Sequence, residues 1–395
     1  MTLTLRPHQQ IGVDILKTEH KGQILIPTGG GKTIIGIIDA KDRFDNSPHP
    51  INIIVVAPRI LLAEQLCSEY LEHITNNNVH VMHVHSGETS HFSSTKPSEI
   101  ELFTKTANAA GEHTIIFTTY HSLKRVVEAG VRADTVICDE AHNSVQRHFF
   151  PAVEHYSAQS ERIFYYTATR KTSVAPKKPG MNWHDVYGGI IHRVPAPELV
   201  EGGYIVPPKI EVIEMNKVDK KSLTPYMEGN NVLTAIKETG LKKILVCAKT
   251  TKQLTTIFQT NFADRLAHLG YSYLYITAKT GAVIDGIKVS REEFFKTLNA
   301  WGKDDTKKFV VLHRSILSEG INVSQLEGVI FLRNMDTIEM VQSIGRVLRL
   351  GSNKSFGMCI VPVYSNVGVS TAKALQKCVD IVFEQGEVLD SVVRR

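Results

Sequence analysis

Short apolar runs recur along this chain, separated by amphipathic stretches. In the first half they fall at 23–26, 51–57, 79–85, 114–118, 136–138 and 163–166. In the second half they fall at 244–248, 273–277, 309–313, 328–332 and 357–363. Runs this short and this apolar predict strands covered on both faces. The stretches between them, such as 60–74, predict helices, and the alternation predicts a mostly parallel sheet flanked by helices. Near the middle the pattern breaks: Gly188-Gly189, Pro195, Pro197, Gly202-Gly203 and Pro207-Pro208 cluster there. Such punctuation predicts a linker over 196–208, joining α/β lobes at 1–195 and 209–395. No tandem repeat or low-complexity segment interrupts either lobe.

Composition narrows this little. The chain has 395 residues, 42% hydrophobic and 22% charged, which leaves ample core for two or three domains. A net charge of +5 permits nucleic-acid binding without suggesting it. Cys67, Cys138, Cys247, Cys359 and Cys378 stand singly, which argues against a structural zinc or a disulfide framework and fits a reducing compartment. No window has the apolar length of a membrane span, and none near Met1 has that of a signal peptide.

The chemistry is carried by Thr28-Gly29-Gly30-Gly31-Lys32-Thr33, which follows a strand and opens a helix. Three glycines let the backbone curl its N–H groups toward phosphate oxygens, and the helix N-terminus adds its dipole. Lys32 can reach β- and γ-phosphates, and the Thr33 hydroxyl can ligate Mg²⁺. The strict pattern wants glycine where Ile26 stands, and a glycine-rich turn with a chance lysine is the plain alternative. A second element follows the strand at 136–138: Asp139-Glu140-Ala141-His142. Carboxylates at the C-terminal end of a parallel strand face the ligand crevice of an open α/β sheet. There Asp139 can hold Mg²⁺ and Glu140 can orient and deprotonate a water. Alone, such a pair would be read as a cap; after a glycine-lysine-threonine loop it reads as catalytic.

With these residues the chain resembles a superfamily 2 helicase or translocase of the DEAH-box type. Residues 27–33 resemble motif I and 139–142 motif II. Thr167-Ala168-Thr169 resembles motif III, and 342–349 (Gln-Ser-Ile-Gly-Arg-Val-Leu-Arg) motif VI. Leu5-Arg6-Pro7-His8-Gln9 resembles the adenine-reading element, residues 317–323 resemble motif V, and weaker matches to motifs Ia, Ib and IV lie at 56–65, 118–123 and 244–250. The resemblance implies two tandem RecA-like domains, with ATP and Mg²⁺ held between them. It implies nucleotide contacts from Arg6, Gln9, Thr28 to Thr33, Gly320 and Asn322, the last standing where motif V often carries an acid. It implies catalysis by Lys32, Glu140, Gln342, Arg346 and Arg349. The two arginines, three apart on a helix, would share one face; an ordinary basic helix face is the alternative. His142, Thr167 and Thr169 would relay between nucleotide and nucleic acid, unless they only cap strand ends.

Nucleic-acid contacts are expected from Pro58, Arg59, Thr119, Tyr120, Lys249, Thr250, Arg314 and Ser315, with ordinary loop polarity as the alternative. DNA is favoured over RNA because motif I and the Arg6–Gln9 element look closest to the repair, recombination and restriction-translocase branch. The rivals are an RNA remodeller and a non-catalytic ATP-gated clamp. Accessory protein partners are left open; the compartment would be a bacterial or phage-infected cytoplasm, or a nucleus. Three other features are read as structural. His80, His83 and His85 lack a carboxylate or cysteine at ligand spacing, so the run is an ordinary strand. Residues 281–288 mimic a phosphate loop, but Ile287 breaks the pattern. Trp183 and Trp301 are packing residues.

Overall fold

The computed structural model describes residues 4–87, 89–215, 224–248, 250–277, 280–313, 323, 325–333, 335–351, 354–363 and 366–393. The chain divides into two compact units, Met1–Val194 with Asp390–Arg395, and Pro195–Leu389. The first runs α1 (Pro7–Leu16), β1 (Lys21–Leu25), α2 (Lys32–Asn46), β2 (Asn52–Ala57), α3 (Ile60–Leu71), β3 (Val79–Val84), β4 (Phe92–Ser93), α4 (Pro97–Ala109), β5 (His113–Thr119), α5 (Leu123–Glu128), β6 (Thr135–Cys138), α6 (Phe150–Gln159), β7 (Arg162–Thr167), β8 (Lys171–Ser173), α7 (His184–Tyr187) and β9 (Ile190–Arg193). Eight strands make one parallel sheet, in the order β4-β3-β5-β2-β6-β7-β1-β9. Every residue of β2 is buried, because helices cover both faces. Each fully buried Ile or Val there contributes about 1.5–3 kcal/mol, which is why so short a run suffices as a strand.

The second unit runs α8 (Ala196–Glu201), β10 (Pro208–Glu214), α9 (Thr224–Thr239), β11 (Lys243–Cys247), α10 (Thr251–Phe258), α11 (Phe262–His268), β12 (Ser272–Thr277), β13 (Gly281–Ile284), β14 (Ile287–Val289), α12 (Arg291–Lys303), β15 (Phe309–His313), β16 (Gly328–Phe331), α13 (Thr337–Val347), β17 (Gly357–Val363) and α14 (Asn366–Val379). Its sheet has the order β10-β17-β16-β11-β15-β12-β13-β14, parallel except for the β12-β13-β14 edge. Its core gathers Val246, Leu254, Phe262, Val310 and Ile330 between sheet and helices.

Three details depart from the pattern-based reading or add to it. The expected linker at 196–208 carries α8, with Pro195 as its N-cap and a proline in its first turn. Proline pre-sets helical φ at that position and glycine stops the helix, so these residues punctuate a helix rather than loosen a tether. The mimic at 281–288 is a β-hairpin, β13 to β14, turning on Asp285 and Gly286, both at positive φ. That is the signature of a two-residue primed turn. Lastly, the chain returns at its end: a strand β18 (Ser391–Val393) pairs in parallel with β8 of the first unit.

Candidate active site

The register of the first sheet lines up the motif-bearing strand ends. Leu25 pairs with Thr167, Cys138 with Tyr165, Val56 with Cys138, and Ala57 with Thr119. Residues 26–33, 139–142 and 167–169 therefore emerge from one edge of the sheet. At that edge the glycine loop closes on itself through Gly30 N–H to Pro27 O, 3.0 Å. Gly29 and Gly31 adopt left-handed φ of 90° and 78°, and Gly31 is the N-cap of α2. A Cβ on Gly31 would stand 2.4 Å from the Gln9 amide nitrogen. The loop is thus a tight cradle that side chains would fill.

Lys32 leads out of it. Its Nζ is 2.9 Å from Glu140 Oε1 and 3.8 Å from Asp139 Oδ1, all three side chains being largely buried. Burial raises the Asp139 carboxyl to about 6; Lys32 opposes the rise and Glu140 adds to it. Glu140 occupies left-handed backbone, φ 45° and ψ 52°. A residue with a Cβ pays about 1–2 kcal/mol for that conformation, and here it turns the carboxylate toward Lys32.

Next to it, the His142 tautomer follows from its partners. The Thr167 hydroxyl donates to Thr169 O at 2.7 Å, so its oxygen accepts from His142 Nδ1–H at 3.0 Å. The Asn143 amide then donates to His142 Nε2 at 3.1 Å. His142 Nδ1 also lies 3.6 Å from Glu140 Oε2. His142 is thus hydrogen-bonded to the 167–169 turn and stands beside the Glu140 carboxylate.

The residues present fit a nucleoside triphosphate with a divalent cation. The Thr28 hydroxyl in the glycine loop and the Thr169 hydroxyl are buried with no partner among the described residues. Buried polar groups left unpaired each cost roughly 1–3 kcal/mol, so such groups at a glycine cradle mark a place for a ligand.

One contributor was not legible as such. Arg6 Nη1, His8 Nε2 and Gln9 Nε2 reach the carbonyls of Gly29, Gly30 and Gly31 at 3.4, 2.8 and 3.2 Å. His8 is buried, and its own carbonyl accepts from His192 Nε2 at 2.9 Å. Its position between Arg6 and Gln9 was the available signal. His8→Ala is expected to weaken binding of a fluorescent ATP analogue roughly fivefold, the worth of one hydrogen bond, with His8→Asn recovering part of it. Unchanged affinity in the alanine variant would remove His8 from the site.

Comparisons with known proteins agree with this geometry. A family model described as "Type III restriction enzyme, res subunit" matches residues 2–172, and one described as "Helicase conserved C-terminal domain" matches 230–351. The chain belongs to the superfamily 2 helicases and translocases. Among curated proteins it is 24% identical over 365 residues to "Putative helicase 22" of Sulfolobus islandicus filamentous virus (isolate Iceland/Hveragerdi), covering 87% of this chain and 61% of that protein. The fold matches the ATP-dependent Type ISP restriction-modification enzyme LlaBIII bound to DNA, with a TM-score of 0.75 at 17% identity, covering 99% of this chain and 31% of that one. It also matches a nuclease-deletion mutant of the Type ISP enzyme LlaGI in complex with a DNA substrate mimic, with a TM-score of 0.70 at 18% identity, covering 97% and 29%. Thus the chain spans about three fifths of the viral protein and under a third of the restriction enzymes.

For this superfamily 2 chain the remaining expected residues divide. Tyr120 is not a surface contact: it is buried, and its hydroxyl donates to Asp139 O at 2.8 Å, bracing the carboxylate-bearing turn. Thr119 is likewise buried, its hydroxyl accepting from Ser122 N–H. Arg59 is exposed and Pro58 partly so, directly after β2. Thr250 is exposed and caps α10 by accepting from Gln253 N–H. Lys249, Arg314, Ser315, Gly320 and Asn322 lie outside the described residues. Gln342 and Arg346 are buried residues of α13. That helix ends at Val347, so Arg349 does not share its face with Arg346. The chain turns there because Lys354 Nζ draws in the carbonyls of Leu326 and Arg349, at 2.7 and 2.8 Å.

The histidines and tryptophans read as structural have partners within the fold. His83 and His85 are buried and hydrogen-bonded to each other at 2.9 Å, while His80 pairs with Glu112. No metal-binding group of histidine, cysteine and carboxylates occurs among the described residues. Trp183 packs edge-on against Phe150, and Trp301 lies beside Phe309 under Lys307. Among the described residues no helix is long and apolar enough to cross a membrane.

Proposed function

We propose that this chain hydrolyses ATP and uses the energy to move along DNA. The observation that carries the reading is Lys32 held against Asp139 and Glu140 at one edge of a parallel sheet. When bound, ATP with Mg²⁺ supplies the phosphoanhydride and a Lewis acid on its oxygens. Lys32 would then turn from the carboxylates to the phosphate oxygens, which its compact point charge suits. Thr33 and Asp139 would hold the cation. Glu140, freed of Lys32, accepts the proton of the attacking water. His142 registers that change through Thr167. Gln342, Arg346 and Arg349 of the second unit carry the remaining catalytic roles in this reading.

The DNA track is supported by the two solved structures of similar fold, which are bound to DNA and to a DNA substrate mimic, and by the restriction-enzyme family that residues 2–172 match. Arg59 and Thr250, on strand-end loops of the two sheets, suit phosphate contact without base readout. ATPase rates with single-stranded DNA, duplex DNA, forked DNA and RNA test the proposal. DNA should stimulate turnover more than RNA, and the apparent affinity should fall as salt rises. Stimulation by RNA alone would make the chain an RNA remodeller. No stimulation by any nucleic acid would favour the ATP-gated clamp.

A further inference from the structure

The 167–169 turn has a neighbour that comes from far along the chain, past the whole second unit. Strand β18 pairs in parallel with β8, which begins two residues after Thr169. Ser391 N–H donates to Arg170 O at 2.9 Å, and Val174 N–H donates to Val393 O at 3.3 Å. Asp390 Oδ1 also stands 4.0 Å from Arg170 Nε, a buried nitrogen with no hydrogen-bond partner among the described residues. The other edge of β8 is held from nearby in sequence. Lys171 O accepts from Met181 N–H at 2.8 Å, and the main chain of Ser173 exchanges bonds with the Asn182 amide at 2.8 and 2.9 Å. The two edges of β8 therefore have separate partners, and the edge that includes Arg170 O belongs to β18.

Arg170 directly follows the turn. Inside the turn, Thr169 N–H donates to Thr167 Oγ1 at 3.2 Å, and the Thr167 hydroxyl donates back to Thr169 O at 2.7 Å. The same Thr167 oxygen accepts from His142, which stands 3.6 Å from Glu140. The carbonyl that Ser391 holds and the carbonyl that Thr167 holds are thus on adjacent residues. We propose that residues 390–393 are a positioning element of the candidate active site: by fixing Arg170 they keep Thr169 O on the Thr167 hydroxyl, and so set the His142 ring beside Glu140. Such support acts on the reaction without touching the reactants. The proposal rests on the reading of Glu140 as the base.

Ser391→Pro removes the N–H that Arg170 accepts and fixes φ, so it undocks the strand; Ser391→Ala keeps the N–H. In the full chain without nucleotide, amide hydrogen exchange over 167–174 should run about tenfold faster in Ser391→Pro, the worth of roughly two lost hydrogen bonds. It should match wild type in Ser391→Ala. At saturating nucleic acid, Ser391→Pro should lower kcat for ATP by a similar factor. Affinity for a fluorescent ATP analogue should hold, since the glycine loop is untouched. A disulfide between register partners, from Thr172→Cys with Val392→Cys, should form and keep wild-type turnover; this variant carries the test should Ser391→Pro fail to fold. A wild type that does not hydrolyse ATP would sink the functional reading, while exchange at 167–170 would still decide this one. The proposal is overturned if those amides exchange in Ser391→Pro as they do in wild type, or if they speed up with turnover unchanged. It is also overturned if the disulfide does not form, or if it abolishes turnover that reduction restores.

Discussion

Lys32→Ala should lower ATP turnover by about 10²- to 10³-fold or more, because a charged donor on the transferring phosphoryl group is lost. Phosphate release measured with saturating nucleic acid reads this directly; wild-type turnover would sink the assignment of the glycine loop. The variant also carries a signature that depends on the geometry. Lys32 is the ammonium facing both buried carboxylates, at 2.9 and 3.8 Å. Without it, Asp139, already raised to about 6, rises further. A carboxyl whose folded pKa lies above its unfolded value stabilises the fold at low pH and loses that contribution as pH climbs through the folded value. In chelator, the variant's melting temperature should therefore trail wild type by more at about pH 8 than at about pH 5. An equal gap at both would mean the carboxylates do not sense Lys32.

Glu140→Gln should bind ATP and fail to hydrolyse it, with a loss of about 10²- to 10⁴-fold, the usual worth of a general base. The amide keeps the side-chain shape, and its oxygen can still accept from Lys32 at the distance seen for Glu140 Oε1. Nucleotide affinity, read by a fluorescent analogue, should stay within a few-fold of wild type. Loss of binding would make Glu140 structural, and retained turnover would move the base elsewhere.

Most of the first unit's architecture was legible because its strands are doubly covered. A run such as Ile53 to Ala57 has no polar side to confuse the period. The candidate site's main groups were legible for a related reason: Asp139 and Glu140 follow such a run directly and Lys32 follows one through the glycine loop, so finding the strands located these side chains. What escaped depends on three-dimensional partners. Tyr120 follows β5 like a surface residue, yet turns inward to Asp139 O. The helix that begins motif VI gives no local sign of stopping at Val347, since the capture of the Arg349 carbonyl just beyond it comes from Lys354, further along the chain. Residues 391–393 pair with β8, far away in sequence, through three ordinary strand residues. The glycines and prolines near 195–203 were read as slack because the same residue types punctuate helices and tethers alike.

Position 140 is asked two questions with opposite answers. The backbone there would be most comfortable with glycine or asparagine, which tolerate left-handed φ, whereas the proposed reaction needs a carboxylate at the end of a two-carbon arm. Selection for heat resistance alone would drift away from glutamate at this site and trade a working enzyme for a sturdier one.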